Sequence, residues 1–139
     1  MSLFILDTDT VSLFQHAHAK VTAAVRAHDP KEVVITVLTV EEQLSGWYKE
    51  LRATTKPPRL AMVYDRMART TQFLGRLPIV SFSEPAILRW QALKKLKLNI
   101  GKTDLRIGAI ALELGATVVT RNVGDFRRIR GLAVEDWAE

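Results

Sequence analysis

The 139-residue chain contains no cysteine, only three histidines, and no apolar run approaching the ~18 residues of a membrane span. Without cysteine there can be no disulfide and no thiolate metal site, so any bound metal must use oxygen or imidazole ligands. The histidines, His16, His18 and His28, crowd into an early stretch away from the chain's acidic motifs, which gives histidine-based catalysis little support. The short apolar run Leu3 to Leu6 has neither the length nor the basic start of a secretion signal, and a soluble, cytoplasmic protein is expected. Acids are also in deficit. Asp plus Glu number 15 against 20 for Lys plus Arg, a formal charge of +5 that suits a polyanionic partner. Internal repeats, low-complexity tracts and long linkers are missing too. With 47% hydrophobic and 25% charged residues, the chain has ordinary globular composition and the length of one domain, residues 1–139.

What is present is an alternation of strand and helix signals. Leu3–Leu6 and Val33–Thr36 are short apolar runs of the kind found in strands buried on both faces, with one helical stretch between them. Leu44, Trp47, Tyr48 and Leu51 fall at helical spacing from Thr39 onward, and Leu60, Val63, Met67, Phe73 and Leu74 repeat it from Arg59. Pro57-Pro58 separates these two helices. Leu77–Val80 predicts a short strand, Ser83 caps a helix reaching about Lys97, and Asp104 opens another that runs to Leu114 and Gly115. Thr117–Thr120 is a strand and Leu132–Val134 a weak last one. The pattern predicts an α/β fold with a parallel sheet covered on both faces.

An acid stands at each of four junctions between such elements: Asp7, Glu42, Asp104 and Asp125. In an open parallel sheet, residues beyond the carboxyl ends of different strands meet at one edge, where carboxylates can gather around a divalent cation. Each acid also has a purely structural explanation. Thr39-x-x-Glu42 matches a capping box, Asp104 can cap a helix or favour its dipole, and Asn122 with Asp125 can organise a turn. Asp7, ending an apolar strand, has no such obvious packing purpose.

Four segments together, Leu6–Asp9, Thr39–Gly46, Asp104–Ala111 and Val119–Phe126, resemble the successive signatures of PIN-domain ribonucleases, nearest to the VapC-type toxins of bacterial toxin–antitoxin pairs. The resemblance implies a parallel-sheet α/β/α sandwich and a catalytic set of Asp7, Glu42, Asp104 and Asp125 around Mg²⁺ or Mn²⁺. Asp7, Asp104 and Asp125 would ligate the metal, and Glu42 would orient or deprotonate water. Thr120 and Asn122 would support the acids. It further implies RNA as substrate, a cognate antitoxin as partner, and a homodimer. Many family members carry Asn two positions after the first Asp; Asp9 stands here instead, and is expected to cap the short helix through Thr10, Val11 and Leu13 rather than join the metal shell.

Hydrolysis of a phosphodiester must bring water and an anionic phosphate together, which a divalent ion assists at both partners. Cations are then needed around the acidic mouth. Lys102, Arg106 and Arg121 flank the acids, and Arg127, Arg128 and Arg130 follow Asp125; these are the candidates for contact with the RNA backbone. Lys94, Lys95 and Lys97 read as a solvated helix face, and Trp47, Trp90 and Trp137 as core or interface anchors. Two rival functions remain. Asp7-Thr8-Asp9-Thr10 also resembles the nucleophile loop of haloacid-dehalogenase-like phosphatases, with Asp7 attacking and Asp9 as acid/base, although Gly124-Asp125 is followed by Phe126 to Arg130 without the second late acid of that family. The other rival is a PIN-like module that binds without cleaving.

Overall fold

The computed structural model describes residues 2–139. Its centre is a five-stranded, all-parallel sheet in the order β3-β2-β1-β4-β5, formed by β1 (Phe4–Leu6), β2 (Val33–Thr36), β3 (Ile79–Val80), β4 (Thr117–Val119) and β5 (Ala133–Glu135). Parallel neighbours need crossovers, and the helices supply them: α1 (Thr8–Gln15), α2 (Ala19–Arg26), α3 (Val37–Ala53), α4 (Pro57–Leu74), α5 (Glu84–Lys95), α6 (Lys102–Leu114) and α7 (Val123–Phe126). The chain runs outward from β1 through β2 to β3, then returns to place β4 on the other side of β1. Strand order therefore reverses at the β1/β4 boundary, the position where open α/β sheets bind ligands.

Alternation along each strand splits the core into two layers. Ile5, Val34 and Val118 face Ala86 of α5, Ile107 and Ile110 of α6, and Phe126 and Ile129. Leu6, Val33, Ile35 and Val119 face the opposite way, toward Val11 of α1 and Leu74 of α4. Both faces of the sheet are covered, as the parallel pairing requires and as the sequence predicts.

Several local expectations hold with shifted boundaries. Ser83 caps α5, its hydroxyl accepting from the Ala86 amide, and Pro57-Pro58 opens α4 rather than lying between helices. Gly115 ends α6 with φ +64°, where a side chain would be strained. The stretch between β1 and β2 holds two helices, because His18 starts a second one by accepting from the Val21 amide through its ring nitrogen. The capping box is not made. Helix α3 begins at Val37 with Thr36 as its cap, so Thr39 lies one turn inside and the Glu42 carboxylate is released from that duty. Asp9 is likewise not the cap of α1; Asp7 is, and Asp9 sits in the first turn.

Candidate active site

Asp7 follows the last residue of β1, and its amide donates to the Val119 carbonyl of β4 at 3.0 Å. The pairing of Leu6 with Val119 puts Asp7 and Thr120 side by side at the carboxyl ends of adjacent strands. One Asp7 carboxylate oxygen accepts from the Thr10 amide at 2.9 Å, which closes the first turn of α1. The side chain is almost wholly buried, with 3% exposure. Burial raises its pKa, opposed by hydrogen bonding from Thr120 and Thr10. The residue with no apparent packing role is thus a helix cap whose second oxygen is not consumed by the cap.

Asp104 lies in the first turn of α6, half-buried. Its pKa is raised to about 6, chiefly by burial and then by the charge of Asp7, with Glu42 and Asp125 adding to it and Asn122 hydrogen bonding opposing it. Four acids from four separate segments are therefore electrostatic neighbours. Asp125 sits at the margin: the Asn122 amide donates to one of its oxygens at 2.8 Å and Arg128 pairs with the other at 3.2 Å. Asn122 joins the two sides of the cluster, and its own backbone amide donates to the Thr120 hydroxyl at 2.8 Å. Both supporting residues named from the sequence are thus in contact with the site.

Glu42 projects from α3 toward Thr8, whose hydroxyl donates to the Glu42 carboxylate at 2.6 Å and lies 3.0 Å from the Thr39 hydroxyl. Thr8 was not singled out in the sequence, and its partners 31 and 34 residues away leave no local signal of its role. A cavity of about 650 Å³ opens onto these groups, lined among others by Asp7, Thr8, Asp9, Glu42, Asp104 and Arg121.

The expected cations do not form one arc around this cavity. Arg121 lines it, but its guanidinium makes a two-bond pair with Asp9 at 2.8 and 3.2 Å, which keeps Arg121 firmly protonated and neutralises Asp9. Arg128 turns to Asp125 and to the Asn99 carbonyl, donating to the latter at 2.8 Å. Arg127 lies in a neighbouring depression with Glu135 and Asp136, and Arg130 is exposed. Lys102 and Arg106 face a different recess on α6. Among the described residues, no Lys or Arg pairs with Asp7, Glu42 or Asp104.

That unneutralised set of oxygen donors has the chemistry of a hard divalent cation site, where carboxylates, waters and phosphate oxygens share the coordination. Among the described residues, no three acidic or histidine side chains already converge enough to hold an ion. Burial first, and then the charges of the neighbouring acids, make ionisation of Asp104 costly without a cation. A stability test follows. With the folded pKa of Asp104 near 6 and its unfolded value near 3.8, its favourable contribution is complete below the lower value and disappears as pH rises through the upper one. In metal-free buffer, the melting temperature of wild type should fall relative to that of Asp104→Asn between about pH 4 and about pH 7. Parallel melting curves across that window would show that neither burial nor the neighbouring acids raise the Asp104 pKa.

The PIN domain family matches residues 4–132. The chain belongs to the PIN domain family. Among curated relatives, a protein named Ribonuclease VapC2 from Rickettsia felis is 38% identical over 69 residues, covering 47% of this chain and 52% of that protein. Another, named Ribonuclease VapC1, from Haemophilus influenzae, is 27% identical over 144 residues and covers 99% of both chains. A solved structure of DNA-bound VapBC from Salmonella typhimurium superposes with a TM-score of 0.78 at 23% identity over 99% of each chain, a likeness of fold. The PIN match begins in β1 and ends just before β5, so it contains all four acids. No helix among the described residues is long and apolar enough to cross a membrane.

Proposed function

We propose that this PIN-domain protein is a divalent-metal-dependent endoribonuclease and the toxin of a toxin–antitoxin pair, acting in the cytoplasm. The observation that supports it most is the meeting of Asp7, Glu42, Asp104 and Asp125 at the strand-order switch point, without a basic side chain paired to the first three. The names of the Rickettsia and Haemophilus relatives support RNA as the substrate class. A VapBC complex as structural relative is compatible with an antitoxin partner, and a homodimer belongs to the same proposal.

In this mechanism Asp7, Asp104 and Asp125 would hold Mg²⁺ or Mn²⁺. A bound ion of this kind lowers the cost of forming hydroxide and offsets charge building on the phosphate. Glu42, its carboxylate oriented by Thr8, accepts a proton from the attacking water. Asn122 and Thr120 fix the positions of the acids around that water. The phosphatase alternative is not favoured, because Asp9, its required acid/base, is engaged by Arg121.

Sequencing RNA ends after incubation with Mg²⁺ tests the proposal. Wild type should create new internal ends that Asp104→Asn does not; identical ends in the two would sink it. Phosphate released from small esters would favour the phosphatase, and RNA binding without cleavage the inert module.

A further inference from the structure

A second recess, of about 550 Å³, lies between α5, the loop that follows it and the start of α6. Four cations line it, Lys94, Lys97, Lys102 and Arg106, and none of its nine lining residues is acidic. Trp90 organises it. Its ring takes Arg106 at 4.5 Å and Lys94 at 4.6 Å from its centroid, so two cations that would repel each other are held by one aromatic face system. Among the described residues, neither is neutralised by an ion pair. The Arg106 Nε is buried without a hydrogen-bond partner among the described residues, so the guanidinium is held by stacking rather than by an acceptor. The loop completing the recess carries Lys97 and Asn99 at positive φ, 51° and 59°, and Arg128 grips the Asn99 carbonyl. A helix face exposed merely for solubility would not need a half-buried tryptophan holding two cations beside a loop with two residues at positive φ.

Lys102 and Arg106 are one helical turn apart on α6, and Asp104, midway between them, projects from the opposite side of the same helix. Helix α6 is about 10 Å across with its side chains, so recess and acid cluster flank one helix end. We propose that this recess binds a phosphate of the RNA strand at a position removed from the scissile bond, so that the strand rounds the start of α6 and enters the acid cluster in fixed register. The inference rests on the RNA-cleaving function proposed above. It assigns Trp90 a positioning role, acting through Arg106 and Lys94, and gives the lysines a partner. Phosphate oxygens supply acceptors to the ammonium groups of Lys94 and Lys97, and the strand's charge suits a concavity without acids.

The test is equilibrium binding of single-stranded oligoribonucleotides by fluorescence anisotropy in EDTA, comparing wild type, Lys94→Ala/Lys97→Ala, and Arg26→Ala/Lys31→Ala. The last pair removes the same charge from exposed positions near the amino end of β2, away from the carboxyl ends of the strands where α6 starts. For an oligomer long enough to round α6, the Lys94/Lys97 variant should bind about tenfold more weakly, and its slope of log K against log salt should shrink by about 0.7, the value for one single-strand phosphate contact. The Arg26/Lys31 variant should bind as wild type does. Equal weakening in both variants would reduce the effect to net charge and overturn the proposal, as would unchanged binding in the Lys94/Lys97 variant. Unchanged RNA affinity with loss of a co-purified antitoxin would transfer the recess to a protein partner, which also overturns it. Mg²⁺-dependent cleavage by wild type is scored separately: its absence removes the nuclease function, and the metal-free binding result still decides the recess.

Discussion

Asp7→Asn is expected to reduce RNA cleavage by about 10³-fold or more, the equivalent of about 4 kcal/mol of transition-state stabilisation, while leaving the fold at least as stable as wild type. The two halves of that expectation come from the two oxygens of one side chain. One caps α1 by accepting from the Thr10 amide, and Asn is as good a cap as Asp. The other belongs to the buried acid set, and there an amide removes a charge that burial disfavours. Melting temperature with and without Mg²⁺ checks this directly. Mg²⁺ should stabilise wild type by binding the folded state, and do so much less in Asp7→Asn. Asp7→Ala provides the contrast, since it loses the cap as well, at about 1 kcal/mol. Retained cleavage in Asp7→Asn would remove Asp7 from the chemistry and leave it a cap.

Phe126→Ala should cost about 3–5 kcal/mol and lower the melting temperature by about 10–20 °C. Phe126 is fully buried, among the largest such side chains, and packs with Ile5, Val118 and Ile129 beneath α7. The helix it anchors has only four residues and no side-chain cap, so it has little stability of its own. Asn122 stands at the position before that helix and Asp125 lies within it. The substitution should therefore also weaken cleavage beyond what unfolding explains, measured at a temperature where the variant is still folded. Phe126→Leu keeps most of the buried apolar volume and should fall between the two. A near-neutral melting shift for Phe126→Ala would mean that α7 is held by something other than this packing.

How far the sequence reveals this site depends on the distance over which each residue acts. β1, β2 and β4 are legible because their residues are apolar on both faces, and the acids because each follows such a run or opens a helix. The α/β/α arrangement follows from the alternation itself. Boundaries set by weak local signals are less legible: β3 has two residues, with Ile79 exposed, and the second helix before β2 starts from a histidine cap. Misassigned caps have one cause. A Thr or Asp near a helix start fits several cap positions, and only the backbone decides that Thr36 rather than Thr39, and Asp7 rather than Asp9, is the one used. The Asp9–Arg121 pair spans 112 residues, and the stacking of Arg106 on Trp90 bridges two helices. Nothing in the chain near either pair announces it. The basic residues were accordingly identified by type but not by direction: some face the acids' neighbours, others the recess on α6.

The strand order sets the time at which the protein becomes competent during its own synthesis. β1 emerges first from the ribosome but lies at the middle of the sheet, hydrogen-bonded on one side to β2 and on the other to β4, which begins at Thr117. Until that late segment arrives, β1 has an open edge, Asp7 lacks the Val119 carbonyl that receives its amide, and Asn122 and Asp125 do not exist. An incomplete chain thus holds three acids but neither the switch-point crevice nor the group that bridges them. Assembly of the acid cluster is thus deferred until the segment through Asp125 has been made, a delay written into the strand order itself.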